Sequence, residues 1–206
     1  MSLHYRHLLN AATPSRRNRF TATLGGIMLK LLGWRIIGTL PAIEKVVVVG
    51  APHTSNYDGV VALPAVLALD LKISLMAKHN LFYGPIAPVM RWLGLIPVER
   101  HAAGGMVGAA IEQFAAHRQL WLGIAPEGTR RGVEQWKTGF HRIALSANVP
   151  IFPVAWDYAR KAIILGEAFM PSADVEHDLQ KLYAFYRDKQ PRHPHRLSQP
   201  LRSDRD

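Results

Sequence analysis

Residues 45–50, Lys-Val-Val-Val-Val-Gly, constrain the fold more than any other stretch. Four successive β-branched residues leave no polar face. A half-exposed strand alternates polar and apolar residues, so this run predicts a strand covered on both sides, as in a parallel sheet between helices. Further runs of this type predict strands over 73–77, 95–98, 120–125, 151–156 and 161–165. Between them, helical patterns are expected over 55–69, 85–93, 104–117 and 140–147, with a last helix over 175–188. The alternation argues for an α/β architecture with a central, mostly parallel sheet flanked by helices. In such sheets ligand sites form in the loops at the carboxyl ends of strands.

Composition narrows the chemistry. The chain has 206 residues, 49% of them hydrophobic and only 19% charged, so it can bury a large core, and global disorder is excluded. It has no Cys, which excludes disulfide scaffolds, thiolate metal sites and cysteine nucleophiles. Ten His are present, His193 and His195 among them, but no compact ligand set is visible and no metal is expected. The formal net charge of +10 lies mostly at the ends: residues 1–19 hold four Arg and no acid, and residues 187–206 hold six Lys/Arg against three Asp. A basic skin of this kind suits an anionic membrane surface or an acidic carrier protein. Nucleic acid is not expected, because no zinc-finger spacing, RNP-like aromatic motif or Lys-rich recognition helix is present.

Residues 20–40 approach the length of a membrane span, but Lys30 and Arg35 interrupt them and Gly25 and Gly26 weaken them, and they make a poor secretory signal because the apolar stretch is charged and no convincing cleavage site follows. Leu24, Ile27, Met28, Leu31 and Leu32 recur at helical spacing after the cluster Arg16, Arg17, Arg19. This predicts an N-terminal amphipathic helix that either covers the core or lies in a lipid headgroup zone. The expected organisation is a basic membrane-interface segment over 1–40, a catalytic domain over 41–190, and a loose basic tail over 191–206, rich in Pro, Arg, His and Ser.

Several strand ends carry candidate chemistry. After the first strong strand come Pro52, His53, Thr54, Ser55, Asn56, Tyr57 and Asp58. Positions i and i+5 differ by about 140° on a helix, so His53 and Asp58 meet only if His53 lies in the turn and Asp58 in the first helical turn. Ser55 and Asp58 alone would make a capping pair. Together with His53 they would make a general base whose tautomer is set by a carboxylate. Past the strand at 95–98, Arg100 is either a solvated charge or a phosphate ligand. The strand at 120–125 runs into Glu127, Gly128, Thr129 and Arg130, either a surface turn or an oxyanion site, and Lys137 opens the next helix nearby. Two prolines bracket the strand-like run Val149-Pro150-Ile151-Phe152-Pro153-Val154, which offers apolar walls rather than chemistry.

Taken in order, His53/Asp58, Gly94/Ile96/Arg100, Glu127 to Arg130 and Val149 to Val154 resemble the four motifs of the 1-acylglycerol-3-phosphate acyltransferase family, within the glycerolipid acyltransferase superfamily. The resemblance spans about half the chain. It implies a glycerolipid-acyltransferase-like fold and an O-acyltransferase in which His53 is the general base and Asp58 orients it. It further implies that Arg100, Glu127, Gly128, Thr129 and Arg130 bind the acceptor's head group, with Lys137 assisting. The donor would be acyl-CoA or acyl carrier protein, with no metal or bound cofactor. The default acceptor is the lysolipid 1-acylglycerol-3-phosphate, and a lyso-aminolipid such as lyso-ornithine lipid is the alternative. The implied location is peripheral, on the cytoplasmic face of a membrane. This chain has Pro52 before the motif histidine and Glu99 where Asp is common. A non-catalytic lipid-binding protein of the same fold is the competing reading.

Overall fold

The computed structural model describes residues 5–78, 83, 87–92, 94–98 and 105–202. One sheet of seven strands organises them: β1 (Arg35–Ile37), β2 (Lys45–Ala51), β3 (Ile73–Lys78), β4 (Leu95–Val98), β5 (Leu120–Ile124), β6 (Ile151–Asp157) and β7 (Ala162–Leu165). The helices are α1 (Arg19–Leu31), α2 (Tyr57–Ala68), α3 (Ala87–Trp92), α4 (Gly105–Ala116), α5 (Gly139–Ser146) and α6 (Val175–Tyr186). The strand order is β1-β7-β6-β2-β5-β3-β4, and every neighbouring pair is parallel except β6 with β7. The expected α/β class and mostly parallel sheet are what the chain forms.

β2 shows why its valines need no polar partner. Val46 and Val48 point into one core with Val61 and Ala65 of α2, while Val47 and Val49 point into another with Phe140 of α5 and Leu182 of α6. Each face of the strand is covered by helices, as period-2 alternation into two apolar layers requires. From β2 the chain runs through α2 to β3. It later returns through α4 to β5 on one side of β2, then crosses through α5 to β6 on the other. The strand order therefore reverses at β2, and the carboxyl ends of β5, β2 and β6 open on a common edge.

α1 departs from the expected amphipathic pattern. Ala22, Gly25, Gly26 and Leu29 are buried, while Phe20, Leu24, Ile27, Met28 and Leu31 are exposed, so apolar residues lie on both sides of the helix. Small residues face inward because α2 lies close: a Cβ on Gly25 would come within 2.5 Å of the Ala68 backbone nitrogen. The helix ends in a Schellman motif. Gly33, at φ +73°, donates to Lys30 O, and Trp34 N donates to Leu29 O. β1 follows at once and pairs with β7. The sequence pattern did not indicate this strand, because three residues are too few to carry a period.

Two further expectations are corrected. Residues 5–40 do not form a segment apart, since Tyr5, Leu29, Trp34, Ile36 and Leu40 share a core with β2 and α2. Nor are residues 191–202 loose. Leu197 and Leu201 are buried in the other core, and Gln199 N donates to Val133 O at 2.8 Å. Polar composition suggested a tail, but two well-spaced leucines anchor it. Leu201 is 1% exposed. Leu201→Ala should therefore cost about 2–4 kcal/mol in urea unfolding; an unchanged midpoint would mean the strap is not part of the core.

Candidate active site

β2 ends at Ala51 and α2 begins at Tyr57, so His53 lies in the turn and Asp58 in the first helical turn. The His53 ring Nδ1 lies 3.0 Å from Asp58 Oδ2, bent away from a straight hydrogen bond. Capping and pairing turn out to share one carboxylate. Asp58 Oδ2 accepts Thr54 N at 3.0 Å and Ser55 N at 2.9 Å, and Ser55 Oγ accepts Tyr57 N at 3.1 Å. Tyr158 OH donates to the other oxygen, Oδ1, at 2.6 Å. Asp58 is fully buried, and burial opposes its charge. The contacts from His53, Tyr158 and Ser55 N outweigh that penalty and hold its carboxyl below the usual carboxylate range.

Glu127, just past β5, braces the same turn from the opposite layer. Its Oε2 accepts His53 N at 2.6 Å and its Oε1 accepts the Ser198 hydroxyl at 2.9 Å. The side chain is 2% exposed, and burial pushes its carboxyl up despite those bonds. Its carboxylate is thus spent on the His53 turn and on the strap of residues 191–202, whereas the family resemblance implies a head-group contact. Gly128, Thr129 and Arg130 are exposed on the following turn, with Gly128 at φ +64° and Arg131 N donating to Thr129 Oγ1 at 3.3 Å. Lys137 folds over this turn: its Nζ would be 3.0 Å from a Cβ at Gly128. Arg100 and Glu99 lie outside the described residues.

The strap crosses the His53 turn as well. His193 N donates to Thr54 Oγ1 at 3.3 Å, Arg196 donates to Thr54 O at 3.4 Å, and the Arg192 guanidinium lies 4.0 Å from the Tyr57 ring centroid. Tyr158, Ser198 and Trp156, whose ring is 5.8 Å from that of His53, are site residues the motifs did not indicate. Tyr158 directly follows β6, and the strand-end rule was the one available signal for it.

Between α2 and the sheet lies a cavity of about 390 Å³, with walls that include Ala65, Leu69, Trp121, Phe152 and Trp156. His53 is the one titratable side chain on its wall among the described residues. No group of His, Asp and Glu suited to a metal ion occurs among the described residues.

The fold thus sets a His–Asp turn at the edge of an apolar cavity on the carboxyl side of a mostly parallel sheet. A family model described as Acyltransferase matches residues 35–157, and the chain belongs to that family. It is 33% identical over 112 residues to the 1-acyl-sn-glycerol-3-phosphate acyltransferases of Salmonella typhimurium and Escherichia coli, covering 50% of this chain and 44% of theirs. The matched stretch is thus less than half the length of those relatives. The fold is similar to that of the 1-acyl-sn-glycerophosphate (LPA) acyltransferase PlsC from Thermotoga maritima, with a TM-score of 0.56 and 20% identity over 84% of this chain and 80% of that one.

Because the folded pKa of Asp58 lies below its unfolded value of about 3.9, its charge contributes stability above that pH. That contribution is lost as pH falls through the folded value. Unfolding free energy should drop below about pH 4, and Asp58→Asn should flatten that slope in urea titrations run across the acid range.

Proposed function

We propose that the protein is an O-acyltransferase that moves a fatty acyl group from acyl-CoA or acyl carrier protein to the hydroxyl of a lysolipid, with 1-acylglycerol-3-phosphate as acceptor. The observation that carries this reading is the placement of the one titratable cavity-wall residue, His53, against a buried carboxylate. The names of the similar proteins agree with it.

With Nδ1 turned to Asp58, Nε2 is left for substrate. In this reading it takes the proton of the acceptor hydroxyl as that oxygen attacks the thioester carbonyl carbon. The tetrahedral intermediate collapses, the C–S bond breaks, and the departing thiolate takes the proton back from the imidazolium. Asp58 steadies the imidazolium between these steps. No acyl-enzyme forms. The cavity holds the acyl chain, and its apolar wall excludes water that would otherwise compete with the acceptor. Thr129 and Arg130 stand on an exposed turn at the same edge of the sheet, with the Lys137 side chain lying over Gly128, so a phosphate or carboxylate head group would meet two cations and a hydroxyl there. Purified protein given acyl-CoA and 1-acylglycerol-3-phosphate should release CoA and form the diacyl product, measured by mass spectrometry. His53→Ala should lower the rate by about 10²–10⁴-fold. Normal turnover by that variant would remove His53 from the chemistry. Turnover only with a lyso-aminolipid in the same assay would move the acceptor, and liposome binding with no turnover on any lysolipid would favour a non-catalytic binder.

The surface also supports attachment to an anionic membrane. No helix among the described residues is long and apolar enough to cross a bilayer. Yet Phe20 is 77% and Leu31 81% exposed on α1, and Val60 and Leu63 are exposed on α2. Arg17 and Arg19 are exposed at the start of α1. Apolar side chains beside cations suit insertion at the headgroup level. The double variant Phe20→Ser/Leu31→Ser should float less with anionic liposomes while keeping its thermal midpoint, and high salt should weaken the parent's binding.

A further inference from the structure

We propose that Tyr158 is a positioning residue of the active site: its hydroxyl holds Asp58 and thereby sets the basicity of His53. This rests on the acyltransferase reading and adds to it a residue just beyond the family match, which ends at Asp157.

The placement of Tyr158 is over-determined. Asp157, itself buried, organises the turn after β6 by accepting Ala159 N at 3.1 Å and Arg160 N at 3.2 Å on Oδ1, and the Arg160 guanidinium at 2.7 Å on Oδ2. Tyr158 N donates to Gln190 O at 2.8 Å, which fastens the turn to the strap. The Tyr158 ring meets Trp34 edge-on, with centroids 4.8 Å apart and planes at 85°. Trp34 is buried at the end of the α1 Schellman turn. Three separate parts of the chain thus aim one hydroxyl at Asp58 Oδ1.

The chemistry follows from the division of the carboxylate. Oδ2 faces His53 and two backbone N–H groups, and Oδ1 faces the phenol. A donor on Oδ1 fixes the rotation of the carboxylate, so that Oδ2 stays in line with the turn. It also draws negative charge off the carboxylate that faces the imidazole, so the charge the His53 ring meets depends on Tyr158. The phenol stays neutral, since burial and then the Asp58 charge push its ionisation well above the ordinary tyrosine value. The other charged or titratable groups acting on the trio are Arg192 and His193 of the strap and Glu127 after β5.

The test uses the full chain with two substitutions that pull in opposite directions. Tyr158→Phe removes the donor, and 3-fluorotyrosine installed at 158 strengthens it while keeping the ring. The imidazole pKa of His53 is followed by NMR, and the pH profile of kcat/KM by acyl transfer. Tyr158→Phe should raise the His53 pKa by about half a unit and move the acid limb the same way. Its kcat should fall about ten- to hundredfold with acceptor KM nearly unchanged. The fluorinated protein should shift the His53 pKa downward. An unmoved His53 pKa in both, or a shift in the same direction in both, would overturn the proposal. If Tyr158→Phe fails to fold, the fluorinated protein alone decides, by a downward shift or none. If the parent transfers no acyl group, the acyltransferase reading fails on its own, and the NMR titration still settles whether Tyr158 sets His53.

Discussion

One buried carboxylate organises this protein's working edge. Asp58 has no solvent to stabilise its charge, so it holds that charge only through the groups aimed at it. Two of these are backbone N–H groups of its own capping turn, one is the His53 ring, and one is a phenol from the start of the β6–β7 turn. Removing the charge would release the start of α2, the orientation of His53 and the seat of Tyr158 together. A helix cap and a His–Asp pair are usually separate devices. Here the same oxygen serves both, which ties the site's geometry to the stability of the helix that carries it.

The turn is gripped from two layers. Asp58 belongs to the layer of α1 and α2, whereas Glu127 and the C-terminal strap belong to the layer of α5 and α6. Glu127 is an acid kept buried with two donors on it, one of them the His53 backbone. Removing Ser198 would leave a buried carboxylate oxygen without its donor, a costly state. The strap is thus joined to the His53 turn and to Glu127 by hydrogen bonds, while its leucines anchor it in the core.

The cavity has a packing origin. Gly50 in β2 lies under Trp156, where a Cβ would approach the ring within 2.7 Å, and this close approach lets the indole lie over the strand beside His53. Elsewhere the buried side of α1 is mostly small residues, Ala22, Gly25 and Gly26, with Leu29 as its one large buried side chain. The large side chains are consequently free to face outward, and the same choice that brings two helices together creates an apolar outer surface.

The residue pattern alone determined the α/β class and nearly every strand and helix of the central layer, and it marked His53 and Asp58 as two residues that could meet after β2. Those are local matters: β-branched runs, capping residues and a five-residue spacing carry their own physics. Only the tertiary structure decided that β1 joins the sheet, that Leu197 and Leu201 fasten the strap, that Glu127 turns inward, and that Tyr158 reaches Asp58 from 100 residues away in sequence. Each of these is a contact between distant segments. Neither partner's neighbourhood carries a sign of the other, because a hydrogen bond across the fold depends on strand order and layer packing rather than on spacing along the chain.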